Sequence, residues 1–393
     1  MKEFEIGVKI YDYDWLEKYC LSPKKAARVL KDWGVNFVLV KSDFIKKPIA
    51  EFEEKAHSDD ESKNYFEIDL EFRKALAEEG IDYWITVCTF YNKKAIEKKP
   101  GLRPVGSDGL PMEKQDWYIG IAPSTDSYVQ NQVEQIEFAV QKLEPDGVFL
   151  SFTRWPGFWE LWMPDHKRRD FPEYCYDQST LARFKKDTGI RVPHAEPKNA
   201  AEWIDKNVRE QWTAWKCDIV ADVVRKVKLA CRNKMPDVEI MLNTLPFTSS
   251  NYDNAREKVF GQDIELLKEN VEVFEVMTYH QILNRPVDWM PVAGIEVKTR
   301  VEKKTVCTIQ AEPIYLEGMY AKDNRSPILD DNEFSAALHS IESAGLDGVV
   351  IFTWSDLLKE VYKKGNKEKV NSLSSAANHR RIRLNKTLSN LSE

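Results

Sequence analysis

The sequence is poor in cysteine and histidine, has no long apolar run and carries no excess of basic charge. Each shortage closes off a class of protein. Six cysteines are spread over 393 residues, at positions 20, 88, 175, 217, 231 and 307, with no CxxC pair. So few in so long a chain do not make a disulfide scaffold, and free thiols in a reducing compartment are expected. The six histidines show no HxH or HExxH spacing, which argues against a metal site; unclustered cysteines argue against radical chemistry. No stretch approaches the roughly 18 apolar residues that span a bilayer. Met1-Lys2-Glu3-Phe4-Glu5 leads into a strand-like segment with no apolar signal core, so a cytoplasmic protein without a membrane partner is expected. A formal net charge of -7 does not suit nucleic acid, whose phosphates call for a basic face. No glycine-rich phosphate loop follows any candidate strand, and no cofactor is expected.

What is present reads as one large domain. Hydrophobic residues make up 42% and charged residues 31%, enough for a sizeable core. Eight short apolar runs predict strands: Phe4–Ile10, Asn36–Val40, Tyr83–Cys88, Gly147–Phe152, Glu239–Asn243, Val273–Thr278, Thr305–Gln310 and Gly348–Thr353. Helical patterns alternate with them, as at Pro23–Trp33, Leu70–Glu79, Tyr128–Leu143, Asp263–Asn270 and Glu333–Ala344. A common junction recurs: Lys31-Asp-Trp-Gly-Val-Asn-Phe, Glu78-Glu-Gly-Ile-Asp-Tyr, Leu143-Glu-Pro-Asp-Gly-Val and Ser343-Ala-Gly-Leu-Asp-Gly-Val. There a glycine or proline ends a helix and a short turn feeds the next strand. Alternation of this kind predicts a parallel sheet, and eight repeats favour a closed (β/α)8 barrel, an α/β fold, over an open doubly wound sheet. The barrel domain is expected to run over 1–362. A minimal barrel needs roughly 250 residues, so the surplus falls into insertions at about 89–125 and 153–200. Both leave the C-terminal end of a strand, the face where barrel active sites are built. Residues 199–232 read as one long helix with a capping box from Asn199 and Glu202. Residues 363–393, with eight Lys/Arg against two Glu, read as a mobile basic tail.

Candidate site residues follow from strand parity, because alternate side chains share a face. On the seventh strand Val306, Thr308, Gln310 and Glu312 form the more polar set, which points inward, while Cys307, Ile309 and Ala311 face the helices. Glu312 is then expected inside the mouth. The fourth strand runs into Arg154, Trp155, Pro156 and Gly157, then Trp159, Glu160 and Trp162, three tryptophans around a Pro-Gly turn. Aromatic faces there could stack on sugar rings, with Arg154 and Glu160 bonding hydroxyls; a hydrophobic minicore is the other reading. Tyr279 and His280 close the sixth strand and Trp354 and Asp356 follow the eighth, Asp356 being equally readable as a helix cap. Asn243 late on the fifth strand is a candidate hydroxyl ligand. The first strand offers Lys9, Tyr11, Asp12 and Asp14, and the second Lys41, Ser42 and Asp43. Glu275 in mid-strand is expected to pair with a buried lysine such as Lys9.

The sequence resembles glycosyl-hydrolase-like (β/α)8 barrel proteins. The resemblance is carried by Asp146-Gly-Val-Phe-Leu-Ser-Phe-Thr-Arg-Trp-Pro-Gly, by Val276-Met-Thr-Tyr-His and by Trp117-Tyr-Ile-Gly-Ile-Ala-Pro. Cys175 to Gly189, with Leu181 and Phe184, is similar to a segment these proteins carry after the fourth strand. The resemblance implies a carbohydrate substrate and glycoside hydrolysis by two carboxylates, one protonating the leaving oxygen and the other attacking carbon or activating water. Glu312 is the candidate nucleophile or base, and Glu160 or Asp356 the candidate acid. Arg154, Trp155, Tyr279, His280, Trp354, Asn243 and Asp12 are candidate substrate ligands. Ser151 stands where such proteins commonly carry an acidic residue, which keeps a catalytically inactive, carbohydrate-binding barrel in view, beside another kind of barrel hydrolase.

Overall fold

In a computed structural model, which describes residues 4–42 and 59–377, eight parallel strands close into a barrel in chain order. They are β1 (Glu5–Ile10), β2 (Phe37–Val40), β3 (Asp82–Cys88), β4 (Gly147–Ser151), β5 (Glu239–Thr244), β6 (Val273–Val276), β7 (Lys304–Gln310) and β8 (Gly348–Phe352). The ring is sealed where β8 pairs with β1, Gly348 opposite Glu5 and Ile351 opposite Val8. Helices between the strands pack their apolar stripes on the outer faces of the barrel. At two of the helix-to-strand turns, Gly34 and Gly345 take left-handed φ values of 82° and 75°, which L-residues with a Cβ resist.

The barrel is filled, not open. Phe37, Leu39, Trp84, Phe149, Met241, Val273, Val306 and Val350 form a closed inner layer. Aromatic rings fit because glycines face them across the ladder. Gly7 pairs with Phe37 and Gly147 with Trp84; a Cβ at either glycine would lie 2.3 or 2.2 Å from the opposing ring. Above this layer the lining turns polar, and above that lies the mouth.

Three expectations are corrected. The predicted single helix is two, Pro197–Asn207 and Arg209–Lys234, because the chain leaves helical geometry at Val208 (φ -142°, ψ 29°). The break lets Arg209 reach Glu173 at 3.0 Å and the Lys258 carbonyl at 2.8 Å. The first helix starts on Pro197, suited to a first helical turn, and not on a box from Asn199. The expected mobile tail begins too early: residues 368–377 are helical, with Val370 and Leu373 buried. Lys369 donates to the carbonyls of Ala311 (2.6 Å) and Leu329 (3.0 Å). Residues 378–393 and Asp43 lie outside the described residues. Among the described residues no helix is long and apolar enough to cross a membrane.

Candidate active site

The barrel mouth holds a cavity of about 270 Å³. Its floor is polar: Lys9 from β1, Ser151 from β4, Asn243 from β5 and Tyr279 just past β6. Lys9 is the centre of this layer. Its Nζ lies 3.0 Å from Glu275 Oε1 and donates to the Tyr279 hydroxyl at 3.0 Å, so the pair read from the sequence is present. Thr308 also donates to Glu275. Burial pulls the Lys9 ammonium down, but the Glu275 carboxylate outweighs it and holds the lysine above its ordinary value, that is, charged. Asn243 Nδ2 donates to Ser151 Oγ at 3.1 Å.

The walls are aromatic: Tyr91, Trp117, Phe152, Trp159, Tyr315 and Phe352. Trp117 Nε1 donates to the Tyr315 hydroxyl at 2.9 Å, tying the insertion after β3 to the loop after β7. Glu160 reaches the cavity from the insertion after β4, on the short turn Trp159–Leu161. Arg325 fixes that turn by donating to the Glu160 carbonyl at 2.6 Å while ion-pairing with Asp323 at 2.8 Å. Burial pushes the Glu160 carboxyl up to about 7, against the opposing charges of Arg154 and Arg325. Glu160 Oε2, Asn243 Oδ1 and Arg154 Nε, all on lining residues, are buried without a hydrogen-bond partner among the described residues. Each such group costs about 1–3 kcal/mol when left unsatisfied. Among the described residues no His, Cys, Asp and Glu group is placed to hold a metal ion.

Of the residues singled out in the sequence, Arg154, Glu160, Asn243 and Tyr279 come together here with Lys9, Tyr11 and Lys41, while six of the candidate catalytic and substrate residues do not line the cavity. Glu312 is displaced because β7 ends at Gln310, so strand alternation no longer governs a residue two positions on. Its carboxylate accepts from Lys359 (2.5 Å) and Lys364 (3.0 Å). Burial works to raise this carboxyl, but those two lysines hold it below the ordinary glutamate value. Asp356 closes a capping box with Thr353. Trp354 stacks at 6.3 Å on Phe72, outside the barrel. Trp155 is turned outward too, donating to the Lys216 carbonyl at 3.0 Å. His280 Nε2 meets Glu333 Oε1 at 3.0 Å, and the exposed Asp12 accepts from Ser355 at 2.6 Å. Trp159, one of the three tryptophans read around the Pro-Gly turn, does line the cavity; Trp117 and Tyr315 line it too, and Arg325 supports it through the Glu160 carbonyl, but parity could not reach these three, since all stand in loops. The one available signal was the density of aromatic residues in otherwise polar insertions.

No protein-family model matches the chain, and no curated protein is similar to it in sequence. Solved structures are similar in fold. A β-galactosidase from the psychrophilic Marinomonas ef1 superposes with a TM-score of 0.65 at 11% identity, covering 98% of this chain and 60% of that one. A β-galactosidase from the haloarchaeon Halorubrum lacusprofundi gives 0.64 at 12% identity, over 96% and 58%. The catalytic domain of β-amylase from Paenibacillus polymyxa gives 0.60 at 10% identity, over 95% and 98%. This chain thus spans about 60% of the length of the β-galactosidase it matches. The likeness establishes the fold: a (β/α)8 barrel of the kind glycoside hydrolases use.

Proposed function

We propose that the cavity binds a sugar and that Glu160 is the proton donor for cleavage of its glycosidic bond. The observation that carries the reading is that Glu160, Asn243 and Arg154, all lining a cavity walled by aromatic rings, each hold a buried polar atom with no hydrogen-bond partner among the described residues. Partly exposed rings such as Trp117 and Tyr315 offer apolar surface to the C–H face of a pyranose, and the polar groups take its hydroxyls. A carboxyl titrating near 7 is matched to donating a proton at neutral pH. In that step Glu160 gives its proton to the leaving oxygen as the bond from the anomeric carbon breaks, and is left as the carboxylate; a water molecule bonds to that carbon in its place, and the proton the water sheds passes to solvent. The fold shared with β-galactosidases and β-amylase supports this reading.

One observation favours a second reading, sugar binding without turnover. Glu160 is the only carboxylate lining the cavity among the described residues, and Glu275 beneath it is held by Lys9 and Thr308. The test is turnover of alkyl glycosides, whose poor leaving groups need a proton, beside that of 4-nitrophenyl glycosides, whose leaving groups do not. If Glu160 is the acid, Glu160→Gln lowers the alkyl rate by about 10²–10⁴-fold and the 4-nitrophenyl rate far less. Wild-type activity then falls as pH rises through about 7. Equal losses on both substrates would remove Glu160 from the acid's role, and binding with no release would establish the second reading.

A further inference from the structure

The cavity holds a buried cation that no described side chain pairs. Lys9, Lys41 and Arg154 line it beside Glu160, the one carboxyl among the described lining residues, and Lys9 is already balanced by Glu275 at 3.0 Å. Arg154 is the decisive group. It is 2% exposed, and its guanidinium has neither a hydrogen bond nor an ion pair with any described residue. Its neighbours are rings, with Phe152 at 5.1 Å, Tyr118 at 5.8 Å and Phe260 at 6.0 Å. The other buried lysines and arginines among the described residues have acceptors: Lys9 has Glu275, Arg256 has Glu296, Arg325 has Asp323 and Lys369 has two carbonyls. Cation–π contact offsets part of the desolvation of a charge, but buried ions are otherwise paired. A planar guanidinium with free N–H groups in a ligand-sized cavity is built for a carboxylate, which it can hold through two parallel hydrogen bonds.

We propose that the ligand of this cavity carries an anionic group that pairs with Arg154. Resting on the sugar reading above, that makes it an acidic sugar, a glycoside of a uronic acid in which a carboxylate replaces the neutral hydroxymethyl group. Asn243 and Ser151 line the same cavity and remain for hydroxyls.

The test is calorimetric titration of the full chain with matched pairs: methyl glucuronide against methyl glucoside, and methyl galacturonide against methyl galactoside. The uronide of at least one pair should bind about tenfold or more tightly than its neutral partner, as charge-assisted pairing requires. Arg154→Met should erase that difference and Arg154→Lys should keep part of it. The wild-type comparison needs no variant to fold. Equal binding of acidic and neutral sugars overturns the inference and leaves the sugar reading standing, whereas a preference that survives Arg154→Met removes Arg154 from the role. If no sugar binds while benzoate does, in a manner lost with Arg154→Met, the sugar reading fails and the anion pairing stands. Binding of none of these probes overturns both.

Discussion

Lys9 shows how a single residue organises the site. It sits on the inner face of β1, where most barrel positions are apolar, and its charge is tolerated because Glu275 and the Tyr279 hydroxyl lie 3.0 Å away. Cation–π contacts with Phe149, Tyr279 and Phe352 at 5.3–5.7 Å complete its surroundings. Both members of the pair are out of water, at 2% and 0% exposure, so the pair itself adds little net stability, but losing one partner strands the other. Lys9→Met should therefore cost about 3–5 kcal/mol in urea unfolding. Lys9→Met combined with Glu275→Gln should recover much of that loss. A double variant as unstable as the single would show that the lysine stem, and not the charge balance, holds the layer. The pair was legible beforehand because an acid in mid-strand, on a face that must be buried, demands a partner. Arg154 was legible for a related reason, standing directly after a strand. Glu160 was weaker in the sequence, since nothing local shows that Arg325, distant in the chain, pins its backbone.

At the scale of elements, strand parity worked where strands exist and failed where they stop. Val306 and Thr308 point inward and Cys307, Ile309 and Ala311 outward, as alternation requires. Glu312 lies past the last paired residue of β7, so its direction is set by the loop and by Lys359 and Lys364 following β8. Trp354 departs in the same way, because a capping box on Thr353 turns the chain into a helix at once and sends the ring outward to Phe72. The eight strands were readable from apolar runs and repeated junctions; the mouth was not, because its walls come from insertions whose paths depend on one another. Glu312 therefore supports the rim between β7 and β8. Glu312→Gln should leave turnover of alkyl glycosides within about threefold of wild type, well short of the 10²–10⁴-fold expected of a lost acid or base. It should also cost stability of no more than about 1 kcal/mol, since its lysine partners are half exposed. A loss of activity of two orders of magnitude or more would return Glu312 to the reacting centre.

At the scale of the whole molecule, the site is a place where the fold carries polar groups that its own core does not satisfy, and that burden should be measurable in global stability. Glu160 titrates near 7 in the folded protein because burial disfavours its charged form, against about 4.3 in an unfolded chain. A raised folded value means the native state holds its proton more tightly, so the contribution is fully present below about 4.3 and is lost as pH rises through about 7. The shift corresponds to something on the order of 3 kcal/mol by pH 8. The wild-type profile alone will not isolate it. Lys216, which burial holds down to about 8 against the pull of Glu173, works in the opposite sense, its contribution being lost as pH falls through that value. Subtracting the profile of Glu160→Gln, which has the same Lys216 but no carboxyl to ionise, removes this background. In urea unfolding the variant should be the more stable protein at pH 8, with the gap closing steadily towards pH 5. The variant that loses the acid should thus gain stability under the conditions where the wild type must bury a charge. A gap that does not change between pH 5 and 8 would mean that Glu160 ionises like an exposed glutamate, and a residue in that state could not hold the proton that cleavage requires.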